Sequence, residues 1–534
     1  MRTIYHNAAV YTGTPPLQQA FVVEDDVFRF VGTNTEALVQ EADKVVDLKG
    51  AFVCPGFIDS HMHVLNYGQA LCTAPLHVHT GSLEDMLECL RNTLPGRGGW
   101  ILGRGWNQDY FSDADRMPNR WDLDRVSLDS PVCATRACGH ALAVNSKVLA
   151  LLGITADTPQ VPGGEIVMEN GHPNGVFLDN AMDLVLSALP NPSKEEIKSM
   201  LRTACAALNE RGITGAHSDD YSTFRSVPPE TVNAAYRELE EAGELTVRVY
   251  EQANFTRVED LQAFLDSGNN TGTGTDRFRI GPLKLLGDGA LGARTAYLSR
   301  PYADSPDTQG LSVFTDKEFD ALIGRAHNTG MQAAVHCIGD ACLDLVLDSY
   351  EKALTAYPRR DHRHGIVHCQ ITRPDQLERI AKLELHVYAQ SIFLDYDIHM
   401  VEDRVGEELA ASSYSWKTLM GNGVTVSNGS DCPVELPNVL GGIQCAVTRQ
   451  DLSGSVPAYL PGEAFTVHEA LDSFTKWSAH ASFEETRKGQ IQPGMLADFV
   501  VLDADPFETE PGKIQTISVL QTVLGGKTVY QMSN

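Results

Sequence analysis

GFIDSHMHV, Gly56–Val64, places His61 and His63 one residue apart at the end of an apolar run. Side chains alternate across a β-strand, so residues i and i+2 share a face. Two imidazoles on one face can grip one cation. A solvated or hydrogen-bonded pair at a strand end reads identically in isolation, because H-x-H is short and common. The rest of the chain has to separate the two readings.

Downstream of this segment the pattern becomes strand, helix, strand. Seven further apolar runs follow: ITGAHSD, LTVRVYEQA, FRIGPLKLLGDG, MQAAVHCIGD, HGIVHCQ, HVYAQSIFL and VTVSNGSD. Helix starts between and around them carry the capping-box pattern, in which a Ser or Thr caps the first turn and a Glu three residues on reaches back. The pairs are Ser193 with Glu196, Thr256 with Glu259, Thr315 with Glu318 and Thr466 with Glu469. After Ser193, Ile197, Met200, Leu201, Ala204 and Leu208 form an apolar stripe at helical spacing. Alternating β and α elements imply a parallel sheet, and eight such units imply an α/β fold of the (β/α)8 TIM-barrel type. About 150 residues separate the first strand from the second, too many for a structureless loop. An inserted subdomain at about 71–192 is therefore expected.

Both ends of the chain read differently. TIYHNAAVYTG, QAFVVEDDVFRFVG and KVVDLKGAFVCPG at the start, and ADFVVLDADPF and TVLGGKTVYQM at the end, are short strands and turns, with Gly525 and Gly526 as a hairpin signal. The expected organisation is a small β-sandwich from 1–54 and 481–534, enclosing a barrel over 55–480.

The 534 residues carry a net charge of −28 and are 43% hydrophobic. That core is ample, and that charge repels phosphate backbones and anionic lipid, which argues against nucleic-acid or membrane-surface partners. No run approaches the ~18–20 apolar residues of a membrane span. The first residues show no apolar signal region, and the eleven cysteines include no C-x-x-C pair, which fits reduced thiols and a cytoplasmic location.

Barrel enzymes build their sites at the C-terminal ends of the strands. His61 and His63 (strand one), Lys284 (four), His336 (five), His368 (six) and Asp431 (eight) all fall there. Each alone has an ordinary explanation: a histidine satisfied in the core, an aspartate capping a turn. Lys284 is odder, since lysine is seldom buried without a partner. Four histidines, a lysine and an aspartate converging on one mouth point to a metal centre.

In the order HMH, Lys, VH, VHCQ, GSD, the chain resembles the amidohydrolase superfamily of metal-dependent hydrolases. LKLLGDGALGARTAYL, VHCIGDACLDLVL, SNGSDCPVELPN and GQIQPGMLADFVVLDADPF extend the likeness to the branch of N-substituted formamide deformylase and the YtcJ-like proteins, amidohydrolase family 3. Within the insertion it continues through GRGWNQDYF, MPNRWDLDRVSLDSPV and GHALAVNSKVL. The resemblance implies a hydrolase of non-peptide C–N bonds in small N-acyl or N-formyl compounds. It implies two divalent metal ions, zinc first, with iron and manganese equally suited to imidazole and carboxylate donors. His61 and His63 then hold one ion, His336 and His368 the other, and Lys284 bridges them after taking up carbon dioxide as a carbamate. Asp431 completes the first site and moves the proton while metal-activated hydroxide attacks the carbonyl. The partners so implied are a small-molecule amide and, in a homodimer, a second copy of the chain.

Other residues divide between substrate contact and packing. His217 on the second strand could donate to the substrate or be a hydrogen-bonded wall residue. Asp288, Arg294 and Thr295 after Lys284 shape their loop or touch substrate. Trp106, Asn107, His140 and Asn145 roof the pocket or pack inside the insertion, which is expected to cover the barrel mouth. Zinc deaminases with this barrel carry a glutamate three residues after the fifth-strand histidine; here that position is Gly339. This weakens the alternative of a mononuclear, deaminase-like hydrolase. A metal-bearing binding protein without turnover is the other alternative, and a base beside the metal ligands argues against it.

Overall fold

In the computed structural model, which describes residues 1–137, 140–224 and 226–533, all eight barrel strands form. They are β1 (Phe57–Met62), β2 (Ile213–Ser218), β3 (Arg248–Asn254), β4 (Phe278–Leu286), β5 (Ala333–Cys337), β6 (Gly365–His368), β7 (His386–Ala389) and β8 (Val426–Asn428). Every neighbouring pair from β1 to β8 runs parallel. Strands β1, β2, β6, β7 and β8 are buried at every position. That explains their continuous apolar runs, since a parallel sheet covered on both faces has no solvent side to alternate with. The sheet nearly closes on itself: the Asp431 N–H just past β8 donates to the His61 carbonyl at 2.8 Å.

Three of the four expected capping boxes are present, at Ser193–Glu196, Thr315–Glu318 and Thr466–Glu469. The fourth is not. The helix Val258–Asp266 starts one residue later than the Thr256 pattern implies, with Arg257 at its N-cap. Arg257 lies 3.6 Å from Glu259 and 3.8 Å from Asp260.

The chain packs as two compact units. The first comprises Met1–Val64, Cys205–Ser222 and Glu240–Asn534, and the second Leu65–Ala204 and Thr223–Leu239. Besides the barrel, the first unit contains two further sheets, one from the N-terminal end alone and one joining both chain ends. One has four strands (Val27–Gly32, Ala20–Glu24, Arg2–His6, Lys44–Asp47); the other has five (Ala9–Val10, Phe52–Pro55, Phe499–Leu502, Val519–Leu524, Lys527–Gln531). They share an apolar cluster in which Tyr5 stacks on Phe21 at 4.9 Å and meets Phe499 edge-on at 5.2 Å. Such aromatic pairs add about 0.5–1.5 kcal/mol each beyond the area they bury. Gly525 and Gly526 both have positive φ and turn the last hairpin, as their sequence suggested. Arg248 at the start of β3 forks onto Asp498 at 2.6 and 2.9 Å, both residues buried, which ties the barrel to the C-terminal strands.

Residues 71–192 fall within the second unit. Its six-stranded sheet runs Gly164–Glu169, His172–Asp179, Ala141–Val144, Val132–Arg136, Ile101–Trp106 and Ala74–Pro75. Among the described residues no helix is long and apolar enough to cross a membrane, and the ten described cysteines are unpaired.

Candidate metal centre

Six sequence-predicted residues lie at the C-terminal ends of β1, β4, β5, β6 and β8, within the first unit. His61 and His63 both turn Nε2 toward one carboxylate oxygen, Asp431 Oδ1, at 3.3 and 3.1 Å. The ligand atoms of these three residues all lie within 4.8 Å of one another, close enough to share one ion. The His368 ring stands 5.6 Å from that of His61 and 4.4 Å from that of His336. Lys284 is 2% exposed, with Asp219 Oδ2 3.9 Å from its Nζ.

The partner of each imidazole sets its tautomer, because a carbonyl oxygen can only accept. His61 Nδ1–H donates to Gln252 Oε1 at 2.9 Å, His63 Nδ1–H to the Asp219 carbonyl at 2.8 Å, and His368 Nδ1–H to Gln390 Oε1 at 2.7 Å. His61 and His368 are left with a bare Nε2, while His63 Nε2–H is hydrogen-bonded to Asp431 Oδ1 at 3.1 Å. The His368 Nε2 is buried with no hydrogen-bond partner. Unpaired buried nitrogen is costly, so a lone pair left this way marks a place for a ligand. His336 is arranged the other way round. Its Nε2–H points to the Gly289 carbonyl at 3.1 Å, leaving Nδ1 bare.

Electrostatics keep three of the four imidazoles neutral, His63 being the exception. Burial, then the nearby Lys284 charge, holds His61 well below the usual histidine range and His336 down at about 3. Burial and the neighbouring His336 do the same to His368. Burial also pulls His63 down, but its hydrogen bond to Asp431 outweighs that and lifts it to about 9.

Two of the six residues sit on left-handed backbone, His368 at φ +74° and Asp431 at φ +57°. Such a residue costs of order 1–3 kcal/mol and persists only where its surroundings hold it. Trp416 Nε1–H holds the His368 carbonyl at 3.1 Å. Asp59, wholly buried, holds the Asp431 loop by accepting from Ser430 N–H at 3.1 Å and Ser430 Oγ–H at 2.5 Å, while taking the His61 N–H at 3.2 Å. Gly429 makes this approach possible: a Cβ there would meet Asp59 Oδ1 and His61 N at 2.6 Å.

Sequence reasoning did not single out Asp59, Asp219, Gln252 or Gln390. A signal existed for Gln390, a lone amide directly after the short run HVYA, but not for Gln252, since RVYEQAN also holds Arg248, Glu251 and Asn254.

The tentative substrate contacts distribute differently. His217 is buried in the barrel with its ring 5.1 Å from Tyr250 and 6.4 Å from Tyr388, and neither of its nitrogens has a hydrogen-bond partner. Asp288 is 0% exposed and accepts three backbone N–H groups. Arg294 spends its fork on Asp304 at 3.0 and 2.8 Å, and Thr295 Oγ1 accepts the Ala290 N–H. In the second unit Trp106 is 0% exposed within an apolar cluster, its indole N–H donating to the Ala134 carbonyl at 2.9 Å. Asn107 and Asn145 are helix caps. His140 is exposed beside Asp179, 3.1 Å away.

A parallel eight-stranded barrel with these donors at its strand ends defines a class, the barrel hydrolases with a metal-capable centre. The chain belongs to the amidohydrolase family, whose profile matches residues 44–530. It is 34% identical to a putative amidohydrolase, YtcJ, of Bacillus subtilis across 100% of both chains. It is 29% identical to N-substituted formamide deformylase of Arthrobacter pascens, over 96% of this chain and 95% of that one. Among solved structures it resembles an uncharacterized metal-dependent hydrolase of Pyrococcus furiosus, with TM-score 0.79, 30% identity and coverage of 95% and 100% of the two chains.

Proposed function

We infer that this protein is a binuclear metal-dependent amidohydrolase acting on non-peptide C–N bonds of small N-acyl or N-formyl compounds. The observation that carries the reading is the grouping of His61, His63 and Asp431, whose ligand atoms lie within 4.8 Å of one another, beside a His368 whose buried Nε2 has no hydrogen-bond partner. His61, His63 and Asp431 would hold one ion, His336 and His368 a second, with Lys284 bridging as a carbamate. Zinc, iron or manganese suits this donor set. When bound, the ions supply acidified water and a polarised substrate carbonyl. Asp431 accepts the proton of the attacking water and delivers it to the departing nitrogen, which leaves as a neutral amine. Gln252, Gln390 and the Asp219 carbonyl keep each imidazole turned to the centre throughout.

The substrate class rests on the likeness to N-substituted formamide deformylase together with the absence of an acid at Gly339, where a deaminase-like proton donor would stand. Unpaired cysteines and a net charge of −28 favour work in the cytoplasm on a small molecule rather than on a polyanion. The test is hydrolysis of a panel of N-substituted formamides, N-acyl amines, esters and dipeptides by zinc-loaded protein. Release of formate or acyl acid from the first two groups is expected. Turnover confined to dipeptides or to aminated ring substrates would overturn the assignment.

A further inference from the structure

Asp288 stands two residues past the end of β4, fully buried, where no substrate can touch it. Its Oδ1 accepts the Ile338 N–H at 3.0 Å, and its Oδ2 accepts those of Gly339 at 2.8 Å and Tyr297 at 2.9 Å. Ile338 and Gly339 follow β5 directly, so this one carboxylate ties the loop after β4 to the loop that carries on from His336. The approach is tight: a Cβ at Gly339 would meet the Tyr297 carbonyl oxygen at 2.0 Å. The same dipeptide also faces the His336 ring. Asp288 Oδ1 lies 3.4 Å from His336 Nε2, and the adjacent Gly289 carbonyl lies 3.1 Å from it. The His336 carbonyl in turn accepts the Gly287 N–H at 3.0 Å. Three consecutive residues thus hold the backbone and the ring edge of one histidine.

We propose that Asp288 is a positioning residue that clamps His336 as its Nε2–H tautomer, presenting a bare Nδ1 to the second metal position. The inference rests on the reading of His336 as a metal ligand. A carboxylate or carbonyl behind a ligating histidine fixes its orientation, and loss of such a partner lowers metal affinity about 10–100-fold. Asp288→Asn keeps the volume but replaces one oxygen by an amide donor, which must then oppose a backbone N–H.

Two measurements test this. Zn2+ alone is titrated into metal-free wild type and Asp288→Asn, with metal content counted per chain. The expected result is one zinc equivalent weakened about 10–100-fold and the other unchanged. Separately, 15N-histidine spectra of metal-free wild type, assigned by difference from His336→Gln, should show His336 protonated on Nε2 and bare on Nδ1. Its Nδ1 signal should then move when zinc is added. The spectra need no Asp288 variant, so a His336 protonated on Nδ1 would overturn the clamp even if Asp288→Asn fails to fold. Equal affinity of both equivalents in wild type and variant, or a His336 protonated on Nδ1, would overturn the clamp. A single zinc per wild-type chain, with His336 unresponsive but still protonated on Nε2, would instead overturn the binuclear reading and leave the clamp standing.

Discussion

Asp59→Asn isolates what a buried carboxylate does for the proposed metal centre without replacing a proposed ligand. Asp59 takes four short contacts: His61 N–H at 3.2 Å, Ser430 N–H at 3.1 Å from each oxygen, and Ser430 Oγ–H at 2.5 Å. Asparagine keeps one oxygen. Its NH2 must face either the Ser430 donors or the His61 amide, leaving at least one buried donor unpaired. That costs about 1–3 kcal/mol of stability. The same contacts set the spacing between β1 and the Asp431 loop, and with it the 3.3 Å between His61 Nε2 and Asp431 Oδ1. Metal affinity should therefore fall about 10–100-fold, equivalent to about 1.4–2.8 kcal/mol. Urea unfolding of metal-free protein measures the first loss, and zinc titration against a competing chelator measures the second. Unchanged zinc affinity in a folded variant would refute the claim that Asp59 organises the site.

Asp431→Asn should lower kcat by about 10²–10⁴ while His61, His63 and Lys284 retain most of the metal; near-normal turnover with both ions bound would assign the proton transfer to another group. Trp106→Ala empties the core of the second unit and should cost about 3–5 kcal/mol, read as an earlier denaturation midpoint; a changed substrate preference at unchanged stability would contradict the packing seen here. His362, outside the metal centre, has Nε2–H bonded to the Leu383 carbonyl at 3.1 Å and Nδ1 accepting the His364 N–H at 3.0 Å. Burial holds it down at about 4, against 6.5 when free. The unfolded chain thus binds this proton more readily than the folded one, and His362 contributes stability above pH 6.5 that is lost as pH falls toward 4. The full loss is about 3 kcal/mol. His362→Gln should flatten the stability profile across that window relative to wild type, and parallel profiles would refute the assignment.

Much of this architecture is legible in the chain because apolar runs, helix caps and metal-capable side chains are local signals. Each barrel strand announced itself as an apolar run, and the metal-capable residues sit at the ends of those runs. Partnerships across the sheet are not local. Gln252 reads as a polar intrusion in β3, but nothing nearby says that it faces His61, 191 residues away. Residue type also misleads where one chemistry serves two ends. An arginine fork suits a substrate carboxylate or Asp304 equally well, and a tryptophan suits a pocket wall or a core. Thr256 shows the limit of a local spacing rule, since the helix begins at Val258 with Arg257 at its N-cap although Thr256 and Glu259 are correctly spaced.

Metal removal and return test most directly the proposal that hydrolysis runs on two ions held by His61, His63, Lys284, His336, His368 and Asp431. Chelated protein, its metal content verified by elemental analysis, should be inactive on an N-substituted formamide. Stepwise zinc addition should restore turnover, with activity saturating at two equivalents per chain. Full activity in protein shown to be metal-free would contradict the account, as would complete loading with two ions and no turnover on any amide or ester.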